Sequence, residues 1–277
     1  MSRQKMKKER IKEKVRESYS QIALREVSCC TSNPSCCSRS EETSKISFPG
    51  YNDIDLKSMP EDAEVSLGCG NPIAFSSLRE GETVIDLGSG FGLDCFLASK
   101  KVGKKGKVIG VDMTPEMVHR ARINAAKGRY SNVEFRLGEI ENLPVADNVA
   151  DVVVSNCVIN LSPEKNRVFQ EAYRVLKPGG RMLVSDIIVQ SEPPKTVREN
   201  LKAYVGCIGG AALKEDYLEM IRNAGFQEVK VLDEKRVADT SGVEEYAKEF
   251  EISVEDARRI AESLLSITVH GLKPSQQ

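Results

Sequence analysis

The chain of 277 residues has no tryptophan, two histidines and only 5% aromatic residues. It also lacks any apolar run near the roughly 18 residues that a membrane-spanning helix requires, so no membrane role is expected. An excess of one charge is missing as well: 40 Lys plus Arg stand against 41 Asp plus Glu. That balance argues against a general nucleic-acid binder, which carries a basic surplus across its domain. With 40% hydrophobic and 29% charged residues the chain can build one large or two modest cores, which excludes disorder throughout. Eight cysteines are present, a lower density than in small secreted disulfide scaffolds. The N-terminus is basic with no apolar stretch behind it, so no secretory signal is expected and the thiols are expected to be reduced, in a cytoplasm.

Three regions differ in character. Residues 1–60 read as a helix followed by a polar, Pro-broken loop with four thiols, Cys29, Cys30, Cys36 and Cys37. Ile11, Val15 and Tyr19 recur every four residues, the narrow stripe of a helix whose other faces are solvated. Residues 61–190 repeat a strand, turn and helix pattern, which predicts an α/β fold with a parallel sheet and helices on its faces. Its strands are expected at Thr83–Leu87, Lys107–Asp112, Val133–Leu137, Ala150–Asn156 and Arg181–Val189. Helices are expected after the first, second and fourth strands, the last of them stopped by Lys177-Pro-Gly-Gly180. Residues 191–277 predict a helix near Val197–Tyr204, another over Lys214–Ala224, and two antiparallel strands, Phe226–Leu232 and Leu265–Gly271, that complete the sheet.

The first strand ends in Asp86-Leu-Gly-Ser-Gly-Phe-Gly92. Glycine tolerates positive φ and has no Cβ, so such a turn lets a ligand approach the backbone; a purely structural turn is the alternative. The spacing Gly88-x-Gly90-x-Gly92 is tighter than the dinucleotide pattern and suits a ligand without a pyrophosphate. Asp112 ends the second strand twenty residues later, where an acid can accept both hydroxyls of a ribose. Glu139 and Ile140 follow the third strand, where a carboxylate and an apolar side chain could border an adenine, and Asn156 closes the fourth. All of these fall beyond the carboxyl ends of the strands, the place where open α/β sheets bind ligands. Asp86-Leu-Gly-Ser89-Gly90-Phe-Gly92, Gly110-Val-Asp-Met113 and Arg174-Val-Leu-Lys-Pro-Gly-Gly180 resemble the signature segments of class I S-adenosylmethionine-dependent methyltransferases. The resemblance implies a Rossmann-like sheet of seven strands, mostly parallel with the last antiparallel.

Methylation of oxygen or nitrogen usually requires a base or a metal, and this chain has few histidines to serve. His119 and His270 fall within elements and read as packing or surface residues. Thiols are better placed: Cys69 precedes the first strand, Cys157 follows the fourth, and Cys207 lies in a glycine-rich turn. Three thiols without histidine suit a soft three-coordinate centre. The four N-terminal thiols could bind zinc, although adjacent cysteines are poor for one tetrahedral ion. Cys95 reads as a small core residue.

Ser66-Leu-Gly-Cys-Gly-Asn-Pro72, Gly138-Glu-Ile-Glu141, Ser155-Asn-Cys-Val-Ile-Asn-Leu161 and Gly206-Cys-Ile-Gly-Gly-Ala211 together resemble the arsenite S-adenosylmethionine methyltransferases. The resemblance implies methyl transfer to arsenite and methylarsenite, with Cys69, Cys157 and Cys207 as arsenic-binding thiols and either Cys29 or Cys30 as a fourth family cysteine. Cys36 and Cys37 fall outside the segments that carry the resemblance. It also implies Tyr51 on the sulfonium side of the cofactor, where an aromatic face makes a cation–π contact, and thioredoxin or glutathione as the reductant. A monomer is expected. Two alternatives remain, a small-molecule C- or O-methyltransferase with incidental thiols and a non-catalytic thiol-rich metal-binding or sensing protein.

Overall fold

A computed structural model describes residues 3–25, 70–198, 200–237 and 243–275. Cys29, Cys30, Cys36, Cys37, Tyr51 and Cys69 lie outside the described residues.

The centre is a seven-stranded sheet in the order β3-β2-β1-β4-β5-β7-β6. Its strands are β1 Thr83–Leu87, β2 Lys107–Asp112, β3 Val133–Leu137, β4 Ala150–Asn156, β5 Leu176–Val189, β6 Gln227–Arg236 and β7 Leu264–Leu272. β1 to β5 pair in parallel, and β7 runs antiparallel between β5 and β6. This is the mostly parallel class I methyltransferase sheet expected from the sequence, with its antiparallel last strand. The order of strands reverses at β1 and β4, which opens a crevice at their carboxyl ends.

The central strands are apolar because both of their faces are covered. On one side α3 (Leu93–Val102), a helix whose Cys95, Phe96 and Ala98 are fully buried, packs on Val84, Val108 and Val154. On the other, Ile85, Val153, Met182 and Val184 meet α5 (Lys165–Val175) and α8 (Lys214–Asn223). Between these in sequence lie α2 (Pro72–Phe75), α4 (Pro115–Lys127), and the short α6 (Lys195–Arg198) and α7 (Leu201–Val205). The chain opens with α1 (Arg3–Arg25) and crosses to β7 through α9 (Val243–Phe250) and α10 (Val254–Ser263). Among the described residues, no helix is long and apolar enough to cross a membrane.

Three boundaries differ from the expectation, one of them the end of β6, which runs past the expected Leu232 to Arg236. The Lys177-Pro-Gly-Gly180 stretch does stop α5, but it lies within β5, which starts at Leu176 opposite Ala150. The register then shifts, so that Arg181 faces Val152. A bulge absorbs the extra residues, with Gly179 at φ +81°. The helix expected near Val197–Tyr204 is two helices, because the Asn200 side chain accepts the Ala203 N–H at 3.3 Å and starts α7 afresh.

Candidate active site

A cleft with about 990 Å³ of space between its walls, part of it open to solvent, lies at the carboxyl ends of β1, β2 and β4. That is room for a nucleoside-sized ligand. Of the residues proposed from the sequence, Asp86, Gly88, Ser89, Gly90, Asp112, Met113, Ile140, Asn156 and Cys157 line it.

The glycine turn earns its composition residue by residue. At Gly88, φ is +71° and a Cβ would collide with the Val158 side chain, so the absent side chain lets the turn after β4 close on the turn after β1. At Gly90, φ is +50° and the Cβ direction is open. The Asp112 carboxylate fastens this turn: Oδ2 accepts the Gly90 N–H at 3.0 Å and Oδ1 accepts the Thr114 N–H at 2.8 Å. Burial raises its pKa, while the backbone donors at Thr114 and Gly90 pull the other way. The Thr114 side chain and the Met113 N–H act in the same direction, and the carboxylate stands at the cleft wall. The buried Ser89 hydroxyl faces the same cleft without a hydrogen-bond partner among the described residues. Together these groups fit a ribose-bearing ligand.

Acidic side chains outnumber basic ones in the cleft. Asp86, Asp94, Asp112 and Glu141 line it against the ammonium of Lys12. Burial, reinforced by Asp94, pushes the Asp86 carboxyl well above its usual range. The Cys95 thiol donates to Asp86 Oδ2 at 3.2 Å, so this core cysteine is also hydrogen-bonded beneath the cleft. Such a wall favours a cationic ligand, as S-adenosylmethionine is at its sulfonium and ammonium groups.

Two of the expected residues have partners within the protein. Glu139 does not line the cleft; its carboxylate accepts from Lys12 Nζ at 2.7 Å and Arg16 Nη2 at 3.3 Å, while neighbouring Ile140 and Glu141 face inward. Asn156 lines the cleft, but its amide clasps the backbone of Gly70, receiving the Gly70 N–H at 3.2 Å and donating to the Gly70 carbonyl at 2.8 Å. It also donates to Asp94 Oδ2 at 3.3 Å. Asn156 thus fixes the residue that follows Cys69.

Cys157 and Cys207 are brought together from segments fifty positions apart, with Cys207 Sγ 3.2 Å from the Cys157 carbonyl oxygen. Both are buried and both adopt left-handed backbone, φ +57° and +65°. Outside glycine this conformation costs energy and concentrates at functional sites. Cys207 is a free thiol whose pKa burial raises, with Asp186 reinforcing the effect and Lys165 opposing it. Cys157 is disulfide-bonded, in contrast to the expectation of uniformly reduced thiols. His119 is exposed, and His270 lies in β7 with Nδ1 3.4 Å from the Glu228 carbonyl.

The element that sequence reasoning undervalued is α1. Its apolar stripe docks as expected, with Val15 buried, but Lys12, Val15 and Tyr19 form part of the cleft wall. Its basic face is not simply solvated. Lys12 bridges Glu139 and Glu141 at 2.7 and 3.3 Å, and Lys8 pairs with Glu164 at 2.8 Å. The stripe of Ile11, Val15 and Tyr19 was the available signal; the acidic partners lie far away in sequence.

Comparison with known proteins agrees with this geometry. A family described as a methyltransferase domain matches residues 78–225. The arsenite methyltransferase of Halobacterium salinarum is 44% identical over 97% of this chain and 68% of its own length. The human arsenite methyltransferase is 40% identical over 57% of this chain, which spans 44% of that protein. An arsenic (III) S-adenosylmethionine methyltransferase from Chlamydomonas reinhardtii superposes with a TM-score of 0.66 at 35% identity, covering 83% of this chain and 75% of that one. With these relatives and this sheet, the chain belongs to the arsenite methyltransferase family of S-adenosylmethionine-dependent methyltransferases.

Proposed function

We propose that this chain methylates trivalent arsenic, taking arsenite and methylarsenite as substrates in a detoxifying reaction. The observation that carries this reading is the meeting of Cys157 and Cys207 beside the cleft that Asp112 and the glycine turn line. Cys69, which precedes the clasped Gly70, supplies the third thiol, and Cys29 or Cys30 the further family cysteine.

Arsenite arrives with hydroxyls on arsenic. Each S–As bond replaces one of them, the thiol proton leaving with the hydroxide as water. The raised pKa of Cys207 keeps that proton on sulfur until the exchange occurs. Thiolate-held trivalent arsenic retains a lone pair, so the nucleophile needs no base, in keeping with the scarcity of histidine. S-adenosylmethionine supplies, when bound, a methyl group on a positively charged sulfur. Asp112 and the Ser89 hydroxyl would hold its ribose end, Ile140 would border the adenine, and the acidic wall would accommodate its positive charge. The protein's contribution is then alignment, holding the reacting atoms at the roughly 3–3.5 Å of a near-attack arrangement.

Methyl transfer removes two electrons from arsenic. Two thiols return them by forming a disulfide, and thioredoxin or glutathione, in a thiol-reducing compartment, regenerates the dithiol. The disulfide at Cys157 supports a site that cycles between these states.

The test is to incubate protein, S-adenosylmethionine, arsenite and a thiol reductant and to separate arsenic species by mass detection. Methylated arsenicals are expected. Cys157→Ser and Cys207→Ser should each abolish methylation of arsenite and methylarsenite, and turnover retained in either variant would overturn the thiol assignment. Cys69→Ser should spare methylarsenite more than arsenite, since one thiol fewer is then required.

A further inference from the structure

Cys157 and Cys207 come from different segments, so something must set the distance between them. The contacts converge on one fully buried side chain, Asn160, in the 3₁₀ turn Ile159–Leu161 that follows Cys157. Its Nδ2 donates to Asp186 Oδ1 at 2.8 Å and to the Ile187 carbonyl, both on β5. Both hydrogens of the amide are thereby used, and reversing the amide would set its oxygen against two acceptors. The Asn160 Oδ1 is left buried without a hydrogen-bond partner among the described residues. An unpaired buried acceptor is costly, and its retention calls for a reason.

The Asn160 backbone faces the other thiol. A Cβ at Gly210, three residues after Cys207, would collide with the Asn160 carbonyl oxygen, so the Cys207 loop rests directly on this peptide. The same oxygen accepts Lys165 Nζ at 3.3 Å. The Ser162 carbonyl accepts Lys165 Nζ at 3.0 Å and Tyr204 Oη at 3.2 Å, which ties α7 to the turn just before Cys207. From beneath, Tyr217 Oη holds Asp186 Oδ2 at 3.1 Å. The sheet thus grips Asn160 by its side chain, and the Cys207 loop is seated on its main chain.

We infer that Asn160, anchored by Asp186, is a positioning residue that sets the spacing of the Cys157–Cys207 thiol pair and so tunes its capture of trivalent arsenicals. This rests on the reading of those two cysteines as the arsenic site. Loss of the Asn160 anchor frees the turn to relax from the sheet, and with it the left-handed Cys157.

The experiment uses the full chain, reduced, and phenylarsine oxide, a trivalent arsenical with two positions for thiols. Bound arsenic is measured by mass detection against a competing dithiol, and S-adenosylhomocysteine affinity is measured by calorimetry on the same samples. The tight arsenical component belongs to the pair if Cys207→Ser removes it; a wild-type chain without that component would defeat the site reading, not this inference. Asn160→Ser should weaken arsenical capture roughly tenfold or more, the loss of about one net hydrogen bond, and leave S-adenosylhomocysteine affinity within about threefold. Asp186→Ala, which removes the acceptor of the Asn160 amide, should fall in the same direction, and it decides the matter if circular dichroism shows Asn160→Ser unfolded. Unchanged arsenical affinity in a folded variant, or equal loss of both ligands, would overturn the inference.

Discussion

Replacing Asp112 by Asn tests the cofactor end of the cleft with almost no change of shape. In the wild type each carboxylate oxygen already accepts one backbone N–H, from Gly90 and from Thr114. The face of the carboxylate turned to the cleft is the one open to ribose hydroxyls. An amide keeps one acceptor and must turn its NH₂ toward Gly90 or Thr114, donor against donor, which costs about 1–3 kcal/mol. Hydrogen bonds to the hydroxyls also lose their charge assistance, about 1 kcal/mol each. The sum, roughly 3–5 kcal/mol, corresponds to about a 150- to 5,000-fold loss of affinity. The assay is calorimetry with S-adenosylhomocysteine, whose ribose is the same and which undergoes no chemistry. The sign with pH follows from burial, which raises the Asp112 pKa. Hydroxyl donors prefer the ionised carboxylate, so affinity should rise as pH climbs through that raised value, and Asp112→Asn should lose the dependence. An affinity within about threefold of wild type, or an unaltered pH profile, would refute the ribose assignment.

Three further outcomes are expected. Cys207→Gly should be more stable than Cys207→Ala by about 1 kcal/mol, or roughly 2–4 °C in melting temperature, because glycine occupies φ +65° without strain; equal melting points would mean that the strain is absent. Burial lifts Asp186 to about 7 from its usual 3.8, so the associated stability is complete below the lower value and is lost as pH rises through the higher one. Thermal denaturation at pH 5 and 8 should show that loss in the wild type and a flatter profile in Asp186→Asn. Lys12→Met should loosen α1 by about 2 kcal/mol, since Glu141 keeps a buried carboxylate with one partner fewer, and hydrogen exchange over residues 3–25 would show it; unchanged protection would deny the clasp a role.

What could be read in advance was local. The bounds of β1 to β4 are legible because each is an apolar run cut off by a turn, and Asp112 is legible because its strand ends on it. β5 was misjudged at its start, since Lys-Pro-Gly-Gly reads as a stop and only the partner strand reveals that a bulge accommodates it. Glu139 looked like a ligand contact, yet Lys12 and Arg16, more than a hundred positions away, claim it. Asp186 hides within an apolar strand, and nothing in its neighbours signals Asn160 or Tyr217. The pairing of Cys157 with Cys207 is likewise non-local, so only the family resemblance could anticipate it.

That distance along the chain has a further consequence for folding. One arsenic atom bridging Cys157 and Cys207 would close a loop of about fifty residues, and the entropy such a cross-link removes from the unfolded ensemble is worth roughly 4 kcal/mol by the chain-entropy relation. In an unfolded chain the same two residues meet only rarely, whereas the native turns bring the Cys207 thiol onto the Cys157 backbone. The substrate would therefore act as a removable staple across β5, α5 and the Cys207 loop, tightening the protein while bound and relaxing it as the methylated product leaves.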